Sequence, residues 1–125
     1  MRTAALIMKR KIMAQALISK IAAAGEVNIF SQLNYELAET MIISKNADTA
    51  VIEAAEDGEY NIVYCLKLCE RLRKSMPKCK ILLLCPEQNK ADVSRAIAAK
   101  QNGIIDDFVF YDTGLEYLVS KMLSI

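Results

Sequence analysis

The chain has 125 residues, 54% of them hydrophobic and 25% charged, and its sixteen basic residues nearly balance fifteen acidic ones. We therefore predict a single domain over 1–125 that folds without metal or disulfide. A net charge of +1 argues against direct nucleic-acid binding, and no uncharged run approaches the roughly 20 apolar residues of a membrane span. Basic residues follow the N-terminal apolar stretch in place of a cleavage site, so we expect a cytoplasmic protein with no membrane partner.

Apolar runs typical of strands alternate with helical periodicity in the first half of the chain. The predicted elements are, in order, a strand at 3–8, a helix at 12–24, a strand at 27–33, a helix after Asn34 and a strand within 47–55. Gly25 is placed to end the first helix and Asn34 to cap the second. The first helix has its apolar positions at Ile12, Met13, Ala16, Leu17 and Ile21.

The same alternation continues in the second half. The predicted elements are a helix after Asn61, a strand at 80–85, a helix between Asn89 and Asn102, a strand at 104–111 and a helix at 114–123. Within the strand at 80–85, the uninterrupted apolar run from Ile81 to Cys85 suits a central parallel strand that is covered on both faces. Thr113, with Glu116 three residues later, predicts a capping box at the start of the last helix.

Five strand–helix repeats predict an α/β fold with three layers, in which helices cover both faces of a five-stranded parallel sheet. Ligands of such sheets bind beside the carboxyl ends of the strands. The residues to consider there are Met8, Lys9, Arg10, Leu33, Asn34, Glu53, Cys85, Phe110 and Tyr111. None of these turns is a glycine-rich phosphate loop, so the sequence provides no support for nucleotide binding of that kind.

The sequence contains no histidine, which excludes histidine-based triads, general bases and metal ligands. Its four cysteines are Cys65, Cys69, Cys79 and Cys85. Cys65 and Cys69 share one helix face with apolar neighbours, so we expect core packing there in preference to a metal site. We expect all four thiols to be reduced and structural.

The order and lengths of these elements, with local strings such as DTAVIEAAED at 48–57, resemble the receiver domain of bacterial response regulators over the whole chain. The resemblance implies a flavodoxin-like fold with strand order 2-1-3-4-5. In that family two acidic residues after the first strand help to hold magnesium, and an aspartate ending the third strand accepts a phosphoryl group. A threonine or serine ends the fourth strand, and a lysine–proline pair ends the fifth.

The acidic positions of the family hold other residues in this chain. Met8 and Lys9, followed by Arg10, stand where the acidic pair would be, and Glu53 is the phosphoacceptor-equivalent residue. A magnesium site needs carboxylate oxygens, whereas Lys9 and Arg10 offer cations. Phosphorylation at Glu53 would also lack a charge-stabilising lysine. We therefore predict a degenerate pocket with no catalytic residues, no metal and no cofactor.

The remaining family positions are also replaced. Cys85 stands at the hydroxyl position, and either Phe110 or Tyr111 stands at the lysine position, because one extra residue after Gly103 leaves the register open. By the same resemblance the fourth helix, fifth strand and fifth helix form a dimer or output face. The aromatic residues available for such an interaction face are Phe108, Phe110, Tyr111 and Tyr117.

Two interpretations of Glu53 remain open. Its carboxylate is either solvated at a strand end without a role, or paired with Lys9 or Arg10 across neighbouring strand ends, where the pair would replace metal and phosphate. The basic run Lys9–Lys11 also allows an anion site, because basic residues at a helix N-terminus are placed unfavourably for the helix dipole.

The resemblance implies a non-enzymatic pseudo-receiver that regulates signalling or transcription through a protein partner or output domain, and that forms a homodimer. One alternative is a flavodoxin-like small-molecule or redox protein. It would use a pocket at the Lys9–Lys11 mouth together with Cys85, whose thiol pKa Lys9 would lower. The other alternative is a receiver that is still phosphorylated, at Asp57 or another carboxylate.

Overall fold

A computed structural model describes residues 2–25 and 27–125, and the elements named below belong to that part of the chain. The strands are β1 (Arg2–Ile7), β2 (Val27–Gln32), β3 (Thr49–Glu53), β4 (Lys80–Cys85) and β5 (Asp107–Phe110). The α-helices are α1 (Lys11–Ala23), α2 (Ala38–Ser44), α3 (Ile62–Ser75), α4 (Lys90–Gln101) and α5 (Leu115–Ser124), and a 3-10 turn at Tyr35–Leu37 precedes α2. Each strand is followed by a helix, as predicted.

The five strands form one parallel sheet in the order β2-β1-β3-β4-β5, which confirms the predicted flavodoxin-like topology. β3 is buried throughout and β4 is buried from Ile81 to Cys85. This is the expected consequence of placing apolar strands between two helical layers. Within the described residues no helix is long and apolar enough to cross a membrane.

Alternate side chains of the sheet enter two separate cores. Ile81, Leu83 and Cys85 of β4 face a core closed by α2, α3 and α4. Leu82 and Leu84 face the opposite core, which α1 and α5 close. Each buried side chain of this size stabilises the fold by about 1.5–3 kcal/mol relative to an exposed one, so both helical layers are held mainly by the sheet.

Two of the predicted helix caps, Asn61 and Asn89, are confirmed. Asn34 caps the 3-10 turn that precedes α2 and not α2 itself, and the start predicted for the last helix is wrong. The side chains of Asn34, Asn61 and Asn89 each accept a backbone hydrogen bond from the following turn. The predicted capping box of the last helix does not form, because Gly114 lies in the N-cap position and makes no side-chain cap. The Glu116 carboxylate instead lies 3.3 Å from the Lys20 ammonium of α1.

The predicted fifth strand is too long at its start. Ile104 and Ile105 donate their backbone N–H groups to Ala99, so these residues close the end of α4 before the strand begins. The turn passes through Gly103, whose φ of 75° favours glycine. The Asp106 carboxylate then accepts a hydrogen bond from the Ile81 backbone at 2.8 Å, which joins this turn to β4.

One residue predicted for the apolar face of the first helix does not lie on that face. Ile12 is 85% exposed, whereas Ala14, Leu17 and Ile21 pack into the core. Residues two positions apart on an α-helix point about 200° away from each other around its axis. Because Ala14 faces the core, Ile12 faces solvent. Ile12 is therefore an exposed apolar side chain at the start of α1.

Candidate functional site

The carboxyl ends of β1 and β3 lie side by side, because these two strands pair directly with Ile7 beside Ile52. The residue after β1, Met8, is fully buried and packs among the side chains between the sheet and α1 and α5. Lys9 and Arg10 are exposed and leave the sheet at this edge. Of the predicted pocket residues Met8 therefore has a core position, while Lys9 and Arg10 reach the surface.

Glu53 ends β3 and is only 1% exposed. One carboxylate oxygen accepts the backbone N–H groups of Lys9 and Arg10 at 2.8 and 3.1 Å. The other oxygen is paired with the guanidinium Nε of Arg10. The interpretation of Glu53 as a solvated carboxylate is therefore wrong: it is an internal ion pair, and Arg10 is its cationic partner.

The Lys9 side chain does not take part in that ion pair. Its ammonium lies 5.8 Å from the ring centroid of Tyr60. Tyr60 stacks on Tyr35 with centroids 4.6 Å apart and meets Tyr64 edge to face at 4.9 Å. The negative faces of aromatic rings attract cations, so Lys9 has a favourable place over this aromatic row.

Tyr35 is the largest fully buried side chain beside the site, and the sequence contained no sign of it beyond its place after the cap Asn34. Its hydroxyl donates a hydrogen bond to the backbone carbonyl of Glu53 at 2.6 Å. Burial raises the pKa of Tyr35 well above its usual value, with smaller contributions from Cys65 and Glu53. Tyr35 therefore fixes the main chain at Glu53.

The structure separates the two candidates for the lysine position. Phe110 pairs with Cys85 at the end of β5 and packs against the core on the α3 and α4 side. The next residue, Tyr111, donates its hydroxyl to the backbone carbonyl of Ala54, and its ring centroid lies 4.5 Å from the Arg10 guanidinium carbon. Tyr111 is therefore the aromatic residue that reaches the site, and burial raises its pKa.

Cys85 is fully buried and its thiol contacts the Pro86 carbonyl at 3.3 Å. Burial, with a smaller contribution from Asp92, raises the pKa of Cys85 to about 11. The redox alternative requires Lys9 to lower the pKa of the Cys85 thiol, and this prediction is therefore wrong. All four cysteines are free and buried, as predicted. The described residues contain no group of three or more acidic or cysteine side chains placed to hold a metal ion.

We expect the native thiols to react with a disulfide reagent at pH 8 roughly a hundredfold more slowly than those of the urea-unfolded chain. The reason is that a neutral thiol is a poor nucleophile. The pKa of Cys85 is about 11 when folded and near 9 in its ordinary state. The folded state thus retains the proton longer, so this group's contribution to stability falls as the pH rises from about 9 to 11. If one thiol of the native protein reacted fast and Cys85→Ser removed that reaction, the description of Cys85 as a buried, protonated thiol would be contradicted.

Comparison with known proteins places this geometry in a fold class. No protein-family model matches the sequence, and no curated protein matches it. Solved receiver domains of response regulators do match the structure over nearly the whole chain. These structures are 14–17% identical to this chain, and their likeness establishes that the chain has the receiver fold.

Three of these structures illustrate the range. A two-component response regulator from Clostridium difficile is 23% identical with a TM-score of 0.77, and the match covers 97% of this chain and 92% of that one. An orphan response regulator of H. pylori is 14% identical with a TM-score of 0.81, covering 98% and 94%. A structure described as one of the streptococcal redox sensors that evolved from two-component response regulators is 14% identical with a TM-score of 0.79, covering 99% and 50%.

Proposed function

We propose that this chain is a pseudo-receiver: a cytoplasmic, non-enzymatic domain that regulates signalling or transcription by binding a protein partner or output domain. It would do so without aspartate phosphorylation, without a cofactor and without direct contact to nucleic acid or membrane. The observation that supports this proposal is the internal pair of Glu53 with Arg10, which occupies the position where a receiver would accept its phosphoryl group.

The Glu53 carboxylate is poorly suited to act as a nucleophile. Both of its oxygens already accept hydrogen bonds, and it has almost no exposed surface. An attacking oxygen needs an accessible lone pair and nearby charges that stabilise the transferred group. The guanidinium of Arg10 instead neutralises the carboxylate in the resting protein. The pair is therefore suited to hold the segment after β1 in one conformation against the end of β3.

The surface proposed for a partner, including a second copy of this chain, lies on α4, β5 and α5. Tyr117 is 57% exposed there, while Phe108 and Phe110 are half-buried against each other, with ring centroids 5.8 Å apart. Asp107 joins the face, because its carboxylate pairs with Lys100 of α4 and Lys121 of α5. Burial opposes ionisation of Asp107, but hydrogen bonds from these lysines lower its pKa overall.

The test of this proposal is the response to a phosphoryl mimic. We expect beryllofluoride with magnesium, or acetyl phosphate with magnesium, to leave the melting temperature and the amide NMR spectrum unchanged, because the carboxylate at the end of β3, Glu53, is buried and already paired with Arg10. A melting-temperature rise of about 4 °C or more would show that the native state binds the mimic and would contradict the proposal.

A matched variant identifies the acceptor if such a response occurs. Asp57 lies in the loop after β3, beside a polar cavity that Asn89 and Asp92 also line. A response that Asp57→Asn abolishes would establish the phosphorylated alternative at that carboxylate. A response that survives Asp57→Asn and is lost in Glu53→Gln would place the acceptor at Glu53 itself.

A further inference from the structure

A groove of about 690 Å³ lies between the first turns of α1 and the segment that joins β5 to α5. Ile12, Met13 and Ala16 line it from α1, and Leu115 lines it from α5. Its volume is within the roughly 300–1,000 Å³ of small-molecule sites. The high exposure of Ile12 leaves an apolar wall in contact with water, which a bound apolar group would cover.

The charged side chains that line this groove are all of one sign. Among the described residues that line it, two are charged, Arg10 and Lys11, and both are basic. Lys11 forms no ion pair within residues 2–25 and 27–125, and the first turn of α1 has no acidic residue. Arg10, in the N-cap position, makes no side-chain cap with the described part of α1. The positive end of the helix dipole therefore adds to the Lys11 charge at the rim.

We infer that this groove binds a small amphipathic anion, an acyl or aryl carboxylate whose apolar body lies against Ile12 and Leu115 and whose carboxylate faces Lys11. The groove suits a small molecule because its lining is compact. The lining residues come from the first turns of α1 and from the short segment that joins β5 to α5. The apolar walls favour burial of the ligand's apolar body, and the positive charge at the rim selects an anion over a cation.

The groove shares two residues with the site around Glu53. Arg10 and Tyr111 line the groove and also line a second cavity of about 330 Å³ beside Glu53. A ligand in the groove would therefore contact the guanidinium that neutralises Glu53. We infer that the ligand is the input to the domain in place of phosphorylation. This second step depends on the proposed function, whereas binding itself does not.

Three probes that share an eight-carbon chain test the groove by NMR titration of amide resonances: octanoate, octanol and octyltrimethylammonium, each below its micelle concentration. We expect saturable binding of octanoate with shifts at Lys11, Ile12 and Leu115, and binding of octanol roughly fivefold weaker. Lys11→Glu should weaken octanoate binding roughly fivefold and leave octanol binding unchanged. Ile12→Ser should weaken both about tenfold.

Matched changes on α4 serve as controls. Lys90 is exposed at the first position of α4, as Lys11 is on α1, and Ile97 is 43% exposed on that helix. Lys90→Glu and Ile97→Ser should leave octanoate binding unchanged, and all four variants should keep the wild-type melting temperature because the replaced side chains are exposed.

Three results would overturn the inference: no saturable binding of any probe, equal binding of octanoate and octyltrimethylammonium, or equal losses in the α1 and α4 variants. If binding fails while beryllofluoride still has no effect, the groove is not a ligand site and the proposed function is retained. If octanoate binds and beryllofluoride also produces a response, the groove inference is retained and the proposed function is lost.

Discussion

Glu53→Ala is expected to lower the free energy of unfolding by about 3 kcal/mol. The substitution removes the acceptor of two backbone N–H groups, those of Lys9 and Arg10, and leaves the Arg10 guanidinium without its partner. Breaking a fully buried pair costs roughly 3–5 kcal/mol, and the half-exposed Arg10 side chain places this site at the lower end of that range. Urea denaturation followed by circular dichroism measures the change.

A double-mutant cycle separates the ion pair from the backbone hydrogen bonds. Glu53→Gln keeps the shape and one acceptor oxygen, and Arg10→Met keeps the aliphatic part of the side chain. We expect these two changes to be less than additive by about 1–2 kcal/mol. Lys9→Met is the matched control, because only the backbone of Lys9 contacts Glu53. Its coupling to Glu53→Gln should be close to zero, and a coupling as large as that of Arg10 would contradict the geometry.

The electrostatic character of this edge differs from what the residue types alone indicated. Basic residues in place of an acidic pair predicted a pocket that offers cations where a magnesium site would need carboxylates. In the structure Glu53 neutralises Arg10, and Lys9 lies over the Tyr60 ring. Lys11 is the cation that remains at the rim of the groove. The cavity beside Glu53 therefore contains a neutralised ion pair, whereas the groove next to it has a positive charge at its rim.

The sheet could be predicted from the sequence because its strands depend on local patterns. β4 was placed correctly from Lys80 to Cys85, and the asparagine caps at Asn61 and Asn89 define their helices. The start of β5 was misplaced because Ile104 and Ile105 are apolar yet close a helix end through backbone hydrogen bonds. Apolar character alone does not distinguish these two roles.

The site was only partly predictable, because its contacts join residues far apart in the chain. Strand order brings residues 9 and 10 beside residue 53, and both basic side chains could have reached the carboxylate. The choice of Arg10 depends on the path of the main chain after β1, which turns both N–H groups toward Glu53. Tyr35 was missed for a similar reason, since its partner is a backbone carbonyl that no side-chain pattern identifies.

Tyr35→Ala is expected to destabilise the fold by about 3–5 kcal/mol, because it empties the largest fully buried side-chain position beside the site. Tyr35→Phe keeps the ring and its stacking on Tyr60 but removes the donor to the Glu53 carbonyl, so its cost is about 1–2 kcal/mol. The same urea experiment measures both, and Tyr117→Phe, at an exposed hydroxyl, should change stability by less than about 0.5 kcal/mol.

The pH dependence gives an independent measure of the Tyr35 hydroxyl. Burial raises the pKa of Tyr35 above its ordinary value of 10.0, so the folded state retains a proton that the unfolded chain loses. Its contribution to stability is therefore complete below pH 10 and falls at higher pH. Tyr35→Phe should remove this part of the alkaline loss. Equal alkaline loss in Tyr35→Phe and in the wild type would show that the hydroxyl is solvated, and Tyr35 could not then fix the main chain at Glu53.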